Sequence, residues 1–177
     1  MEGTEVSDIP NWDELSIENM IEDFIKKGVK IRTAESCTGG GIVNAITNID
    51  GSSKIIDFSM VAYSPEVKEK ILDVSPKWTT DENIVSQEVA EAMNKGLQSF
   101  CKENRLGDSP YMFYITITGW IGTSPVKDSN VAFFTIGYTI GAHKTFKIFI
   151  NQGNNKEEKK QMIIKRILGE VSNFLYT

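Results

Sequence analysis

Histidine is almost absent from this chain: His143 is the only one among 177 residues. A zinc site built on two or three imidazoles is therefore excluded, and any Ser-His-Asp or Cys-His triad would have to use that one ring. Cysteine is scarce too. Cys37 and Cys101 stand 64 positions apart with no CxxC pair, which excludes a zinc knuckle and a disulfide framework and points to reduced thiols. Apolar runs stay far short of the ~20 residues that cross a bilayer. The opening stretch MEGTEVSDIPNWDEL has neither the basic nor the apolar segment of a signal peptide, so a cytoplasmic location is expected.

Dense positive charge is also missing. The net charge of −5 arises from 19 Lys and Arg against 24 Asp and Glu, and residues 1–23 alone hold eight acids and no base. The remaining 154 residues carry 16 acids and 19 bases, a balance of +3. Such a body tolerates an anionic small molecule, but it lacks the Lys/Arg patch of a nucleic-acid binder. What is present is an ordinary globular composition, 40% hydrophobic, enough at this length to bury roughly 70% of the unfolded surface without a metal or disulfide.

Local patterns order the chain. Residues 1–15 are acidic and aperiodic and read as a loose extension, with one domain over 16–177. Ser16 is placed to cap a helix whose apolar stripe is Ile17, Met20, Ile21, Phe24 and Ile25, stopped by Gly28. Val29, Ile31 and Thr33 then alternate as a short strand, followed by a Gly-rich turn and a second helical stripe through Ile42, Val43, Ile46 and Ile49. Residues 55–63 read as a strand, preceded by a helical turn in one reading. Ser64-Pro65-Glu66 and Ser86 are helix starts, the first with Pro at its opening position. Tyr111–Thr118 reads as a buried strand, Val131–Thr139 and Lys144–Ile150 as a hairpin, and Lys156–Leu175 as a last amphipathic helix. The order predicts a three-layer α/β/α fold on a mixed sheet that includes a C-terminal antiparallel hairpin. Ligands in such sheets sit beyond the carboxyl ends of the strands.

Three loops fit that place. Ala34-Glu35-Ser36-Cys37-Thr38-Gly39-Gly40-Gly41 has the glycines and the helix start of an anion site, but no P-loop Lys and no G-x-G-x-x-G spacing, so a structural turn is the simpler reading. Gly51-Ser52-Ser53 with Lys68 downstream offers a Ser–Lys hydrolytic pair if the amine is desolvated; composition alone favours a cap and a solvated Lys. Thr116-Ile117-Thr118-Gly119 ends the apolar strand, where hydroxyls facing a neighbour are the plain reading. His143 reads as a solvated turn residue, Cys37 as a small buried residue, and 156–160 as a solvated first helical turn.

Taken in order, Thr33–Gly40, Gly51–Ser53, Val61–Lys68, Val85–Ala90 and Thr118-Gly119 resemble the CinA C-terminal domain family, the nicotinamide mononucleotide deamidases. The resemblance covers about residues 16–175, and the string AESCTGG is highly specific. It implies hydrolysis of the carboxamide of nicotinamide mononucleotide to the acid with release of ammonia, without metal or cofactor. Carried over, Ser53 would be the nucleophile, Lys68 its general base, Tyr63 a hydrogen-bonding assistant and Thr118 the group orienting the amide or the attacking group. Ser36, Cys37, Thr38, Gly39, Gly40, Gly119, Trp120 and Lys156 would line the substrate pocket. The pyridine nucleotide is the expected partner, with no nucleic acid or membrane, and a homo-oligomer is expected.

The chain also departs from the family pattern. Trp120-Ile121-Gly122 replaces an Ile-Ala-Gly-Pro stretch, and Trp120 is expected to narrow or reshape the pocket. Gly153-Asn154-Asn155-Lys156 replaces a Gly-Asp-Arg, and a Lys lacks the bidentate fork of Arg. The family domain often follows a molybdopterin-binding-like domain, and this chain reads as the stand-alone form. A catalytically weakened nucleotide-binding relative is the alternative reading, and a scaffold with an occluded pocket a third. Ser53 and Lys68 are 15 positions apart, so they meet only if residues 52–57 are helical or if they pair across a subunit interface.

Overall fold

A computed structural model describes residues 4–5, 14–107, 109–122, 130–138, 141–151 and 153–174 of the chain. Its strands are β1 (Thr4–Glu5), β2 (Lys30–Glu35), β3 (Ile56–Val61), β4 (Met112–Trp120), β5 (Val131–Tyr138) and β6 (His143–Phe149). Its α-helices are α1 (Glu14–Lys27), α2 (Gly41–Thr47), α3 (Pro65–Leu72), α4 (Gln87–Glu103) and α5 (Lys156–Asn173), with 3₁₀ turns at Ser52–Lys54 and Pro76–Trp78. The strands form one mixed sheet in the order β1-β6-β5-β4-β2-β3. β2 lies parallel to both β3 and β4, whereas β5 runs antiparallel to its two neighbours, β4 and β6.

Alternation along each strand sends side chains to two cores. Ile31, Phe113, Ile115, Ile117, Phe134, Ile136, Phe146 and Ile148 join the apolar stripes of α1, α2 and α5 on one face. Ala34, Met112 and Tyr114 join α3 and α4 on the other, with Phe58 and Met60 packed against them. The expected three layers and C-terminal hairpin are therefore present. β2 and β4 are buried along most of their length because they lie inside the sheet with helices on both faces.

α4 is keyed to the sheet by polar contacts as well as apolar ones. Asn94 Nδ2 donates to the carbonyls of Tyr114 (2.7 Å) and Thr135 (3.2 Å), and Thr116 Oγ1 donates to Ala90 O (2.8 Å). Gly137 makes room for this seam: a Cβ there would lie 2.2 Å from Asn94 Oδ1. A shift of α4 along its axis would strand those buried groups, so its first turn has one position relative to the end of β4.

Some boundaries differ from the expectation. α1 starts at Glu14, two residues before Ser16, so Ser16 is not its cap. The stretch read as a loose extension supplies β1, which pairs in parallel with β6 through Thr4↔Phe146 and Glu5↔Lys147. β2 runs on to Glu35 because Thr33, Ala34 and Glu35 are paired on both sides or on one by β4 and β3. His143 opens β6 rather than sitting in the turn; it is exposed, with Nε2 3.9 Å from Glu91 Oε1.

Candidate functional site

The site begins where β2 ends. Glu35, the last residue of the strand, is fully buried, and its carboxylate turns back into the following loop. It accepts hydrogen bonds from the amides of Ile42 (3.0 Å) and Val43 (3.0 Å) at the start of α2 and from Thr38 Oγ1 (2.7 Å). Those helix amides would otherwise be free for a ligand's anionic group. Here an internal carboxylate fills them, so these two amides are not available to a ligand. Gly39 and Gly40, at φ 65° and 91°, let the chain double back tightly enough to bring α2 under Glu35.

Replacing Glu35 with Ala removes the acceptor of two buried amides and of Thr38. The expected cost is about 3 kcal/mol in a urea unfolding curve, with Glu35→Gln losing about half as much because one acceptor oxygen survives. Equal stability of Glu35→Ala and the parent would contradict this account of the loop.

Ser36 follows, 6% exposed, at the carboxyl edge of the sheet. Next to it in space is Lys68, 32 positions later. β3 lies beside β2, and the ladder continues past the strand ends through Ala62 N to Glu35 O (2.7 Å). Tyr63 then leads into α3, capped by Ser64 Oγ accepting from Val67 N (3.2 Å), and one turn along that helix Lys68 points back. Its Nζ lies 3.0 Å from Ser36 Oγ, 2.8 Å from Ala62 O and 2.8 Å from Tyr63 O.

The electrostatics bring the neutral amine within reach of ordinary pH. Lys68 is 1% exposed, and no carboxylate among the described residues pairs with it. Burial pulls its pKa down to about 8, against a smaller opposing pull from Cys37. A neutral amine has two N–H donors and one lone pair. The carbonyls of Ala62 and Tyr63 suit the two donors, which leaves the lone pair facing the Ser36 hydroxyl. Cys37 next door is the opposite case: its burial pushes the thiol up to about 12, so it is an inert thiol beside the pair.

Ser36 and Lys68 open into a cleft of about 530 Å³. One wall is Trp120 and Ile121 at the end of β4. A second is Asp81, Ile84 and Val85 from the α3–α4 connection, and a third is Lys156 and Lys160 on the first turns of α5. Tyr63, 69% exposed, stands at the mouth. Gly119 is needed for close packing rather than for its backbone: a Cβ there would lie 2.7 Å from both Cys37 Sγ and Ala132 Cβ.

Of the residues expected to catalyse, Ser53 is not in this cleft. It sits exposed in the 3₁₀ turn before β3, while Lys68 follows the other end of that strand. Six extended residues span roughly 20 Å, so the two are separated by the full length of β3, and Ser36 takes the place beside Lys68 instead. Tyr63 reaches Lys68 through its main-chain carbonyl, while its side chain lines the mouth of the cleft. Thr118 lines the cleft, but its hydroxyl donates to Ile84 O at 2.6 Å. Its proton is committed to holding the Asp81–Val85 wall, so it does not donate to a bound amide. Among the expected pocket residues, Ser36, Cys37, Gly119, Trp120 and Lys156 line the cleft. Thr38, Gly39 and Gly40 do not; they build the turn beneath Glu35. Lys160 was hidden in a run that reads as a solvated turn, although its i+4 spacing from Lys156 puts both on one helix face. Asp81 had no local signal at all.

Comparison with known proteins gives the chain its relatives. The family model described as the CinA C-terminal domain matches residues 14–175. A CinA-like protein of Flavobacterium psychrophilum is 33% identical over 152 residues, 85% of this chain and 33% of its own length. A putative competence-damage inducible protein of Caldanaerobacter subterraneus is 33% identical over 142 residues, 80% of this chain and 33% of that protein. The chain thus spans about a third of the length of these relatives. Among solved structures, the competence/damage inducible protein CihA from Agrobacterium tumefaciens superposes with a TM-score of 0.76 at 25% identity, covering 94% of this chain and 97% of that one. The competence damage-inducible protein A from Klebsiella pneumoniae shares the fold with a TM-score of 0.79 at 20% identity, over 93% and 98% of the two chains.

Proposed function

Because the chain belongs to the CinA C-terminal domain family, we propose that it is an amidohydrolase acting on the carboxamide of a pyridine nucleotide, with nicotinamide mononucleotide as the reference substrate. The observation that carries this reading is the 3.0 Å contact between Ser36 Oγ and a buried Lys68 whose other two neighbours are carbonyl oxygens. Ser36 Oγ attacks the amide carbon as its proton passes to the Lys68 lone pair. The tetrahedral intermediate collapses by breaking the C–N bond, and the nitrogen leaves as ammonia after taking the proton from Lys68 Nζ. A water molecule then attacks the Ser36 ester, giving its proton to Lys68, and the acid departs as Ser36 regains a hydrogen.

The cleft supports a substrate of this class. Trp120 offers an aromatic face for a flat ring, and Lys156 and Lys160 offer two cations for an anionic group. The filled α2 amides leave those two lysines as the cationic end of the cleft. The sole histidine is exposed on β6 beside Glu91, outside the residues that line the cleft.

The direct test is ammonia release from nicotinamide mononucleotide by the purified chain, read beside calorimetric binding of the same nucleotide. Turnover with binding supports the amidohydrolase. Binding without ammonia at high enzyme concentration would favour a nucleotide-binding relative, and neither would overturn both readings.

A further inference from the structure

The aromatic and cationic walls of the cleft come from distant parts of the chain, and one side chain joins them. Asn130 stands where the chain enters β5, with φ at 64°, a left-handed conformation that Asn tolerates better than most residues. Its amide donates to Trp120 O (2.9 Å), and its carbonyl accepts from Ile150 N (2.8 Å) just past β6. Its side-chain oxygen Oδ1 is shared. Gly122 N, two residues beyond Trp120, donates to it at 3.2 Å, and Lys159 Nζ on α5 donates to it at 2.9 Å.

The geometry points to Asn130 as the positioning residue that sets the distance between Trp120 and the lysine pair, and thereby the ligand length the cleft accepts; this rests on the amidohydrolase reading for its substrate. Lys159 lies one residue before Lys160 and three after Lys156, so fixing its ammonium to Oδ1 fixes the first turns of α5 against the end of β4. Gly122, at φ 111°, closes the same corner: a Cβ there would come within 3.2 Å of Lys156 Cε. Ser36 and Lys68 stand just past β2 and on α3 and, among the described residues, neither bonds to Asn130, Gly122 or Lys159, so loosening this corner alters binding of the substrate without altering the reacting pair.

Three variants test the inference, each checked for folding by circular dichroism. Asn130→Ala removes the shared acceptor, Lys159→Met removes one donor while keeping the Asn130 backbone, and Asn130→Asp keeps an acceptor for both donors. With nicotinamide mononucleotide, Asn130→Ala and Lys159→Met are expected to raise KM about tenfold, the equivalent of ~1.4 kcal/mol, with kcat within about twofold of the parent. Asn130→Asp is expected to restore KM to within about threefold of the parent. A second readout needs no substrate. In a Trp12→Phe, Trp78→Phe background, the emission of Trp120 should shift on Asn130→Ala and return on Asn130→Asp. If Asn130→Ala does not fold, Lys159→Met decides alone. An unchanged KM and unchanged emission in folded variants overturn the inference, as does a fall in kcat that parallels the rise in KM. An emission shift in a protein that releases no ammonia would retire the amidohydrolase and leave the positioning role of Asn130 standing.

Discussion

Ser36→Ala should reduce ammonia release from nicotinamide mononucleotide by about 10⁴-fold, while Ser53→Ala should leave kcat and KM within about twofold of the parent. Removing the nucleophile of a covalent hydrolytic mechanism ordinarily costs three to six orders of magnitude, and what remains comes from binding and polarisation of the amide. The contrast between the two serines is the informative part. Ser36 Oγ is 3.0 Å from Lys68 Nζ and lines the cleft, whereas Ser53 is exposed at the far end of β3. Ser36→Ala also leaves binding intact, since the hydroxyl is one small group among the cleft walls, so calorimetry on that variant should still register nucleotide binding. Loss of activity in Ser53→Ala together with full activity in Ser36→Ala would reverse the assignment, and steady-state kinetics on the two proteins decides it.

The second large effect belongs to Lys68. Its amine works as a base only when neutral, and with a pKa near 8 the rate should climb with pH through about 8 and then level off. Lys68→Met should lower kcat about 10³-fold and abolish that rise. Lys68→Arg should be equally inactive, because a guanidinium stays protonated across the whole range and cannot receive the Ser36 proton. Stability carries the same signature. Burial lowers the folded pKa to about 8 from the ordinary 10.5, so between those values the unfolded chain binds more protons than the folded one. Folding stability from this group therefore rises with pH from about 8 to about 10.5, by about 3 kcal/mol, and is at its lowest below 8. Urea midpoints taken across that window should climb for the parent relative to Lys68→Met, and two parallel curves would contradict a depressed amine.

The parts of this molecule that are local in sequence were readable without coordinates. Ser64-Pro65-Glu66 starts α3 and Ser86 caps α4 because a hydroxyl and a Pro act within one turn, and the structure has both caps where they were expected. Lys68 was legible as a candidate for the same reason, one turn into a well-marked helix. Its partner was not. Ser36 and Lys68 meet only because β2 and β3 are parallel neighbours whose pairing continues beyond Glu35, and no spacing in the sequence encodes that adjacency. Ser53 looked nearer along the chain, yet a strand between two residues separates them more surely than a long helical detour. Nothing in the motif around Glu35 marks a task for its carboxylate. Its role appears only when α2 folds back and offers two amides to it. Thr118 shows the converse limit: the residue is in the cleft as expected, but its proton goes to a carbonyl on a loop more than thirty positions earlier.

The sheet changes direction at β4, parallel to β2 on one side and antiparallel to β5 on the other. That seam also divides the labour of the cleft. The parallel half supplies the proposed reacting pair, Ser36 just past β2 and Lys68 on the helix that follows β3. The antiparallel half, with the helix that follows it, supplies Trp120, Asn130, Lys156 and Lys160. A hairpin and one terminal helix can be remodelled as a cassette without touching the crossovers that bring serine and lysine together. On this plan β5, β6 and the start of α5 can be redrawn to change what the cleft accepts while Ser36 and Lys68 keep their places.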